Sequence, residues 1–421
     1  MSNAQLYCLL LLLLHPLLLL SQSLSSTSEG KLPIVFVYLL VNTNCSEVHI
    51  PLFIWSSLNQ TINYQTPDCD VYFITDIGFC PRTQTSAAQF GGRLHLVDIN
   101  TIISPKTKQF GIDLNNVLSS GEENLYTTSA LRFFALEDLM IHFNLSSVFQ
   151  VETDNLIFGS MTKILPFLQH NYPTLAATPV GRNRHSINAG VFWIHNLPAI
   201  SHFNAFLMNY TTPNSTQFAE FHAWAASHLQ YRCRMLNEER CFYLNGNGVK
   251  RYFFNEMSFL AHYQRIHPSR LLNLPLLPHI AITEKHGWGI VQFGMNGEFA
   301  GGDTFGGVWD SGGWGQNLGG IPRNRNGISK DLYLPFKSSK GTFIDVAAII
   351  GGAMVFGGCI VRYKCAGLNF TMPGSSPPIC LTAPHISCGS SIEANISVPL
   401  FNLHVHSKLT NEFQSQICSC D

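Results

Sequence analysis

Short apolar runs that recur after helix-compatible stretches, and that stop at an acidic residue, limit the fold of this chain more than any other feature. Lys31-Leu32 opens the run Pro33-Ile34-Val35-Phe36-Val37-Tyr38-Leu39-Leu40-Val41, and Ile50 to Leu58 follows with helical spacing. A second run, Val71-Tyr72-Phe73-Ile74-Thr75, ends at Asp76, and a third, Leu94 to Val97, ends at Asp98. This strand–helix–strand rhythm is how an α/β protein with a mostly parallel, doubly wound sheet and helices on both faces reads from sequence. No fixed-period repeat competes with it.

The length of 421 residues fits one large domain or two ordinary ones, at roughly 100–200 residues each. Hydrophobic residues make up 46% of the chain and charged residues only 12%, so a large core is available and a disordered or coiled-coil protein is excluded. Lys plus Arg (25) nearly balances Asp plus Glu (26). Nucleic-acid binding by phosphate neutralisation needs a basic surplus or stripe, and neither is present.

Leu6 to Leu20 is almost pure leucine, broken by Tyr7, Cys8, His15 and Pro16, and a small polar run follows. It is short for a membrane span of roughly 20 residues and suits a signal-peptide core. Residues 1–23 are therefore expected to act as a signal peptide, or as a signal anchor, directing a luminal domain (31–421) to the ER or Golgi or out of the cell. Seven Asn-x-Ser/Thr sequons, at Asn44, Asn59, Asn144, Asn209, Asn214, Asn369 and Asn395, agree with that compartment. So do twelve cysteines, whose close pairs Cys69/Cys80 and Cys233/Cys241 read as short disulfide loops. Val346 to Val361 is apolar but holds four glycines, and reads as a buried helix or strand pair rather than a span. Residues 366–396, rich in Cys, Pro and Ser, read as a disulfide-stapled C-terminal insertion.

The stretch from Thr127 to Asn155 is the most informative. Thr127-Thr128-Ser129 offers N-cap chemistry for a helix running to about His142. Val148-Phe149-Gln150-Val151 then reads as a buried strand that ends directly in Glu152-Thr153-Asp154-Asn155. Ligands of open α/β sheets bind beyond the carboxyl ends of the strands, so two acids at i and i+2 there can converge on one cation. The same spacing also serves a solvated capping loop. Ser186 to Asn196 reads as a further strand, and Phe218 to Leu229 and Glu256 to Ile266 as helices.

Three other constellations could carry chemistry. Asn402-Leu403-His404-Val405-His406-Ser407-Lys408 puts two imidazoles on one face of a strand, followed by a point charge suited to a diphosphate. A surface histidine pair has the same pattern, and a zinc hydrolase would need a third ligand that does not lie nearby. Trp309-Asp310-Ser311-Gly312-Gly313-Trp314-Gly315-Gln316 offers tryptophan faces and hydrogen bonds to a sugar, or forms a structural turn around a buried Trp. Glu256 opens an apolar helix and is either a catalytic carboxylate or a charge favoured at a helix N-terminus.

Taken in order, these motifs resemble nucleotide-sugar-dependent glycosyltransferases of the GT-A fold, of the eukaryotic secretory type. Leu131-Arg132-Phe133-Phe134-Ala135-Leu136-Glu137-Asp138, followed by Val148 to Asn155, is similar to that group's helix and acidic metal block. Ile187-Asn188-Ala189-Gly190-Val191-Phe192 is similar to the strand after it. E-x-D stands where D-x-D is usual, and Gln150 where relatives carry His. The resemblance implies a divalent cation, Mn2+ or Mg2+, held by Asp154 and Glu152 with His404 or His406. It implies a nucleotide-sugar donor contacted by Arg132, Glu152, Asp154, Asn155 and Lys408. A glycan or glycoprotein acceptor would meet Trp309, Trp314 and Gln316, with Glu256 or Asp310 as the base. A luminal carbohydrate-binding protein without transfer chemistry is the first alternative, and a zinc-dependent hydrolase the second.

Overall fold

The structure is a computed structural model. It describes residues 32–40, 44–46, 50–65, 67, 69–117, 123–180, 186–212, 215–221, 223–224, 242–244, 250–252, 256–275, 309, 344–345, 359–362, 369–370, 379–380, 385–388, 396–399 and 401–404. The strands are β1 (Ile34–Tyr38), β2 (Val71–Thr75), β3 (Leu94–Asp98), β4 (Val148–Val151), β5 (Asn155–Ile157), β6 (Leu175–Val180), β7 (Ser186–Ile194), β8 (Phe242–Leu244), β9 (Lys250–Tyr252) and β10 (Leu271–Asn273). Seven of them form one sheet in the order β10-β6-β7-β4-β1-β2-β3. Pairing is parallel from β3 through β2 and β1 to β4 and between β6 and β10, while β7 runs antiparallel to both β4 and β6. This is the expected α/β architecture, with one reversed strand that the sequence reading did not foresee. The chain winds outward from β1 to β3 and then returns to place β4 on the other side of β1. The carboxyl ends of β1 and β4 thus flank the switch point where such sheets bind ligands.

The alternation of side chains along each strand divides the core into two layers. The principal helices are α1 (Leu52–Tyr64), α2 (Pro81–Ala88), α3 (Ile99–Ile102), α4 (Pro105–Val117), α5 (Glu123–His142), α6 (Met161–Asn171), α7 (Leu197–Thr211) and α8 (Glu256–Ile266). Val35, Ile74, Val148 and Phe192 face Phe110 of α4, Phe133 of α5, Phe203 of α7 and Phe259 of α8. Phe36, Phe73, Phe149 and Trp193 face Ile54 and Leu58 of α1 and Ile164 of α6 on the opposite side. β2 is buried at all five positions, the pattern of a strand covered on both faces. Among the described residues no helix is long and apolar enough to cross a membrane.

Two local expectations are corrected. Thr127 and Ser129 do not cap α5, which already begins at Glu123. Thr127 is buried inside the helix, where tertiary packing outweighs its weak preference for a helix end. Cys80 is bonded to Cys45 rather than to Cys69, and Cys69 Sγ donates to Leu32 O at 2.9 Å. Cys69 is buried with its thiol on the Leu32 backbone, while Cys80 is taken by Cys45. The expected Cys233/Cys241 pair lies outside the described residues, as do residues 346–358 of the glycine-rich apolar stretch.

Toward the C-terminus come β11 (Ile344–Asp345), β12 (Cys359–Arg362), β13 (Asn369–Phe370), β14 (Ile379–Cys380), β15 (His385–Cys388), β16 (Ile396–Pro399) and β17 (Asn402–His404). A four-stranded antiparallel sheet, β11-β12-β15-β16, and the separate pair β13-β14 include the described parts of the expected insertion. β17 pairs with β5. β5 is held on its other side by α1, where Gln60 accepts from Ile157 N at 2.8 Å and donates to Ile157 O at 2.5 Å. Gln65 does the same for the next turn, accepting from Met161 N and donating to Gly159 O, both at 2.9 Å. Two glutamine side chains therefore complete backbone pairing that would otherwise be buried without partners.

The helices of the first layer are tied by one carboxylate. Glu137 of α5 accepts from Lys106 of α4 and from Ser201 and Asn204 of α7. Burial pushes its carboxyl up, but those donors and the Lys106 charge outweigh burial and hold it below the ordinary value of 4.5. A depressed carboxylate contributes stability that is present above the unfolded-state value and is lost as pH falls through the folded value. Glu137→Ala is therefore expected to cost about 2–3 kcal/mol at pH 7. Urea denaturation at stepped pH should show that difference shrinking below the usual glutamate range, and a pH-independent cost would refute the assignment.

Candidate active site at the carboxyl edge of strand β4

β4 ends at Val151, and the next residues turn sharply, with Glu152 N donating to Gly190 O at 2.8 Å and Asn155 N to Glu152 O at 3.0 Å. This turn carries Glu152 and Asp154 out of the sheet at the switch point. β17 runs antiparallel to β5 with His404 opposite Asn155. His404 Nε2 lies 3.1 Å from Glu152 Oε2 and 3.2 Å from Asp154 Oδ1. One ligand atom from each of Glu152, Asp154 and His404 falls within 4.8 Å of the others, a spacing that can hold one metal ion.

The residues beneath this triad fix its geometry. Asn155 is fully buried, donates to Gly190 O at 2.9 Å and accepts from Asn402 Nδ2 at 2.7 Å. Asn188 Oδ1 accepts from Gly190 N at 2.6 Å, and its Nδ2 faces His404 Nδ1 at 3.2 Å. Neighbouring amides thus aim the other ring nitrogen of His404 at the two acids, as an outer shell does around a metal-binding imidazole. Gly190 makes this approach possible, because a Cβ there would lie 2.7 Å from His404 Nδ1.

A third acid joins from the helical layer. Arg132 of α5 reaches Glu152 Oε1 at 2.5 Å and Glu256 Oε1, on the first turn of α8, at 3.6 Å. Its guanidinium lies over the Phe133 ring, 5.4 Å from the centroid. Burial pushes the Glu152 carboxyl up, but Arg132 and His404 outweigh it and hold it well below the usual carboxylate range. Burial lowers His404, yet Asp154 and Glu152 outweigh it and raise the imidazole well above its usual value. At Glu256 burial wins: its carboxyl is raised, with Arg132 opposing and Glu152 reinforcing the shift.

The structure thus brings together Arg132, Glu152, Asp154, Glu256 and His404. Two expected contacts are corrected. Asn155, read as donor-binding, has no exposed surface and spends its amide on Gly190 and Asn402, so it builds the site from beneath. Trp309, read as an acceptor surface, is also fully buried and packs on Phe149 and Phe401 at 5.1 Å each. Asp310, Trp314, Gln316, His406 and Lys408 lie outside the described residues. Asn188 and Asn402 were missed as site residues. Their signal was the i, i+2 spacing from Gly190 and from His404, which puts each on the same strand face as its partner.

The sequence matches no protein-family model and no curated protein. The solved structures it resembles include glycosyltransferases. Mouse xyloside xylosyltransferase 1 is 12% identical, with a TM-score of 0.36, covering 62% of this chain and 92% of the mouse chain. The bifunctional glycosyltransferase WbbM is 11% identical with a TM-score of 0.32, covering 59% of this chain and 39% of its own. The S. cerevisiae mannosyltransferase Ktr4p is 10% identical with a TM-score of 0.25, covering 45% and 52%. At such scores the likeness assigns no chemistry to this chain.

Gly190→Ala is expected to cost about 1–3 kcal/mol, since the new methyl must displace the His404 ring or the strand beneath it. Combining it with His404→Ala should recover much of that cost, because the clash partner is gone. Chemical denaturation of the two single variants and the double variant measures the coupling. Strict additivity would show that the glycine is not there for His404.

Proposed function

We propose that this protein is a metal-dependent glycosyltransferase of the secretory pathway, moving a sugar from a nucleotide-diphosphate donor to a glycan or glycoprotein acceptor. The observation that carries the reading is the convergence of Glu152, Asp154 and His404 beside the sheet's switch point. Two carboxylate oxygens and one imidazole nitrogen fit a Mn2+ or Mg2+ ion and leave positions for phosphate oxygens. Such an ion, when bound, supplies positive charge where a departing nucleoside diphosphate develops negative charge. Glu152 is suited to divide its oxygens, one held by Arg132 and the other turned to the triad. Arg132, though first read as a donor contact, is 5% exposed and serves better to position Glu152 and Glu256.

In this reading Glu256 accepts the acceptor hydroxyl proton. Its raised carboxyl, 13% exposed and close to Glu152, is the kind of base that burial tunes toward the working pH. Lys408, four residues beyond His404, and His406 remain the proposed diphosphate and additional metal contacts, and Asp310, Trp314 and Gln316 the proposed acceptor-side groups.

Thermal or chemical unfolding of the secreted chain with manganese plus UDP or GDP tests the site. Ligand near 100 times its dissociation constant should stabilise the wild type by about 2.7 kcal/mol. Asp154→Ala should fold but lose the metal-dependent shift. Absence of any shift in folded wild type would favour the non-catalytic carbohydrate-binding reading.

Glu256→Gln separates chemistry from binding. It should retain the metal-dependent nucleotide shift while nucleoside diphosphate release from a panel of nucleotide sugars falls by roughly 10²–10⁴-fold. Unchanged turnover would remove Glu256 from the mechanism.

A further inference from the structure

We propose that Asn144 carries an N-linked glycan whose innermost sugars lie across the apolar surface formed by Ile141 and Phe143. Asn144 follows the end of α5 and has φ 51, a left-handed conformation that Asn tolerates better than most residues. Its N–H donates to Ile141 O at 3.4 Å and Leu145 N to Met140 O at 2.9 Å, so the turn is tied to the helix. The acceptor Asn144 and the hydroxyl residue Ser146 are both exposed, with Leu145 partly so.

The surface beside this turn is unusual. Ile141 is 58% exposed and Phe143 41% exposed, among few large apolar side chains so placed in the described residues. The Phe143 ring is braced against Tyr72 at 5.4 Å and His142 at 4.7 Å, which fixes it as a platform. Aromatic and aliphatic faces suit the apolar face of a sugar ring. A glycan on Asn144 starts one residue from that platform and is the occupant whose attachment point the sequence itself supplies.

Three other sequons whose side chains are described are built differently. Asn59 lies on α1 between buried Leu58 and Gln60, its Thr61 is fully buried, and its Oδ1 accepts from Asn63 at 2.8 Å. Asn209 is exposed, but Tyr210 and Thr211 are buried. Asn44 is exposed, with its middle residue Cys45 bonded to Cys80.

The modification needs a polyprenyl-pyrophosphate-linked oligosaccharide as co-reactant. Asn144 Nδ2 bonds to the anomeric carbon as the carbon–oxygen bond to the pyrophosphate breaks. The pyrophosphate leaves with the electron pair, and one Nδ2 proton passes to a base of the transferring enzyme. The proposal rests on the secretory reading given above.

The test expresses the full chain in a secretory eukaryotic host and removes N-glycans enzymatically in heavy-oxygen water, followed by peptide mass spectrometry. Labelled aspartate is expected at position 144, and Ser146→Ala, which keeps the left-handed Asn, should abolish it. Asn144 unlabelled while Asn44 or Asn209 is labelled would overturn the glycan alone. No label at any sequon would overturn the secretory reading and the glycan with it. Ser146→Ala should also bind more of a dye that reports apolar surface, and adding Ile141→Ser with Phe143→Ser should abolish the increase. Unchanged dye binding would overturn the covering of the patch.

Discussion

His404 stands beside Glu152 and Asp154 because three residues from the far end of the chain pair with three residues that follow the turn. β17 on β5 is a short contact, yet it is set by more than its own ladder. Asn402 donates to Asn155 at 2.7 Å, and Asn155 donates to Gly190 at 2.9 Å. Gly190 in turn lies against His404 and Asn188. Gln60 of α1 and Gln65 just beyond it hold the other side. A register slip by one residue would send His404 to the opposite face of its strand and break the amide chain with it. The site geometry is therefore fixed by buried amides rather than by the charges they carry into place.

The charges explain why such a scaffold is needed. Glu152, Asp154 and Glu256 converge on one guanidinium and one imidazole. Buried acids lose hydration and repel one another, so each demands a counter-charge at short range. Arg132 answers Glu152 and Glu256, and His404 answers Glu152 and Asp154. In the proposed reaction Glu152, Asp154 and His404 would hold a divalent cation, whose positive charge would add to the counter-charge on the two carboxylates. The arrangement separates the work of two acids two residues apart: Asp154 faces the triad alone, while Glu152 also links it to the base candidate.

Much of this was legible in the sequence where one rule acted alone. The apolar runs of β1, β2 and β4 sit where hydrophobic patterning placed them, and Glu152 and Asp154 follow β4 because acids do not continue a strand buried on both faces. The α8 helix begins at Glu256, as its apolar spacing implied. Legibility failed where a distant contact overrode a local preference. Thr127 has a cap's side chain but lies within α5. Trp309 reads as a sugar platform from its glycine-rich setting, yet Phe149 and Phe401 enclose it. Asn155 reads as a ligand contact from its place beside Asp154, yet its burial decides that it serves as a strut. The pairing of Cys80 with Cys45 was likewise hidden, since sequence distance favoured Cys69.

The chain length between Asn155 and Asn402 bears on how the site tolerates variation. Those residues are separated by 247 positions, and the cost of bringing chain ends together grows only logarithmically with loop length. Doubling such a segment adds about 0.6 kcal/mol, less than one buried hydrogen bond to a charged group. The Cys-, Pro- and Ser-rich stretch at 366–396 can therefore lie just ahead of β17 at small thermodynamic cost, provided that the amide chain from Asn402 through Asn155 to Gly190 re-forms. Residues near 155, 188–190 and 402–404 are bound by geometry to one another, whereas α7, α8 and β10 in the segment between the last two groups are held by their own places in the core and the sheet.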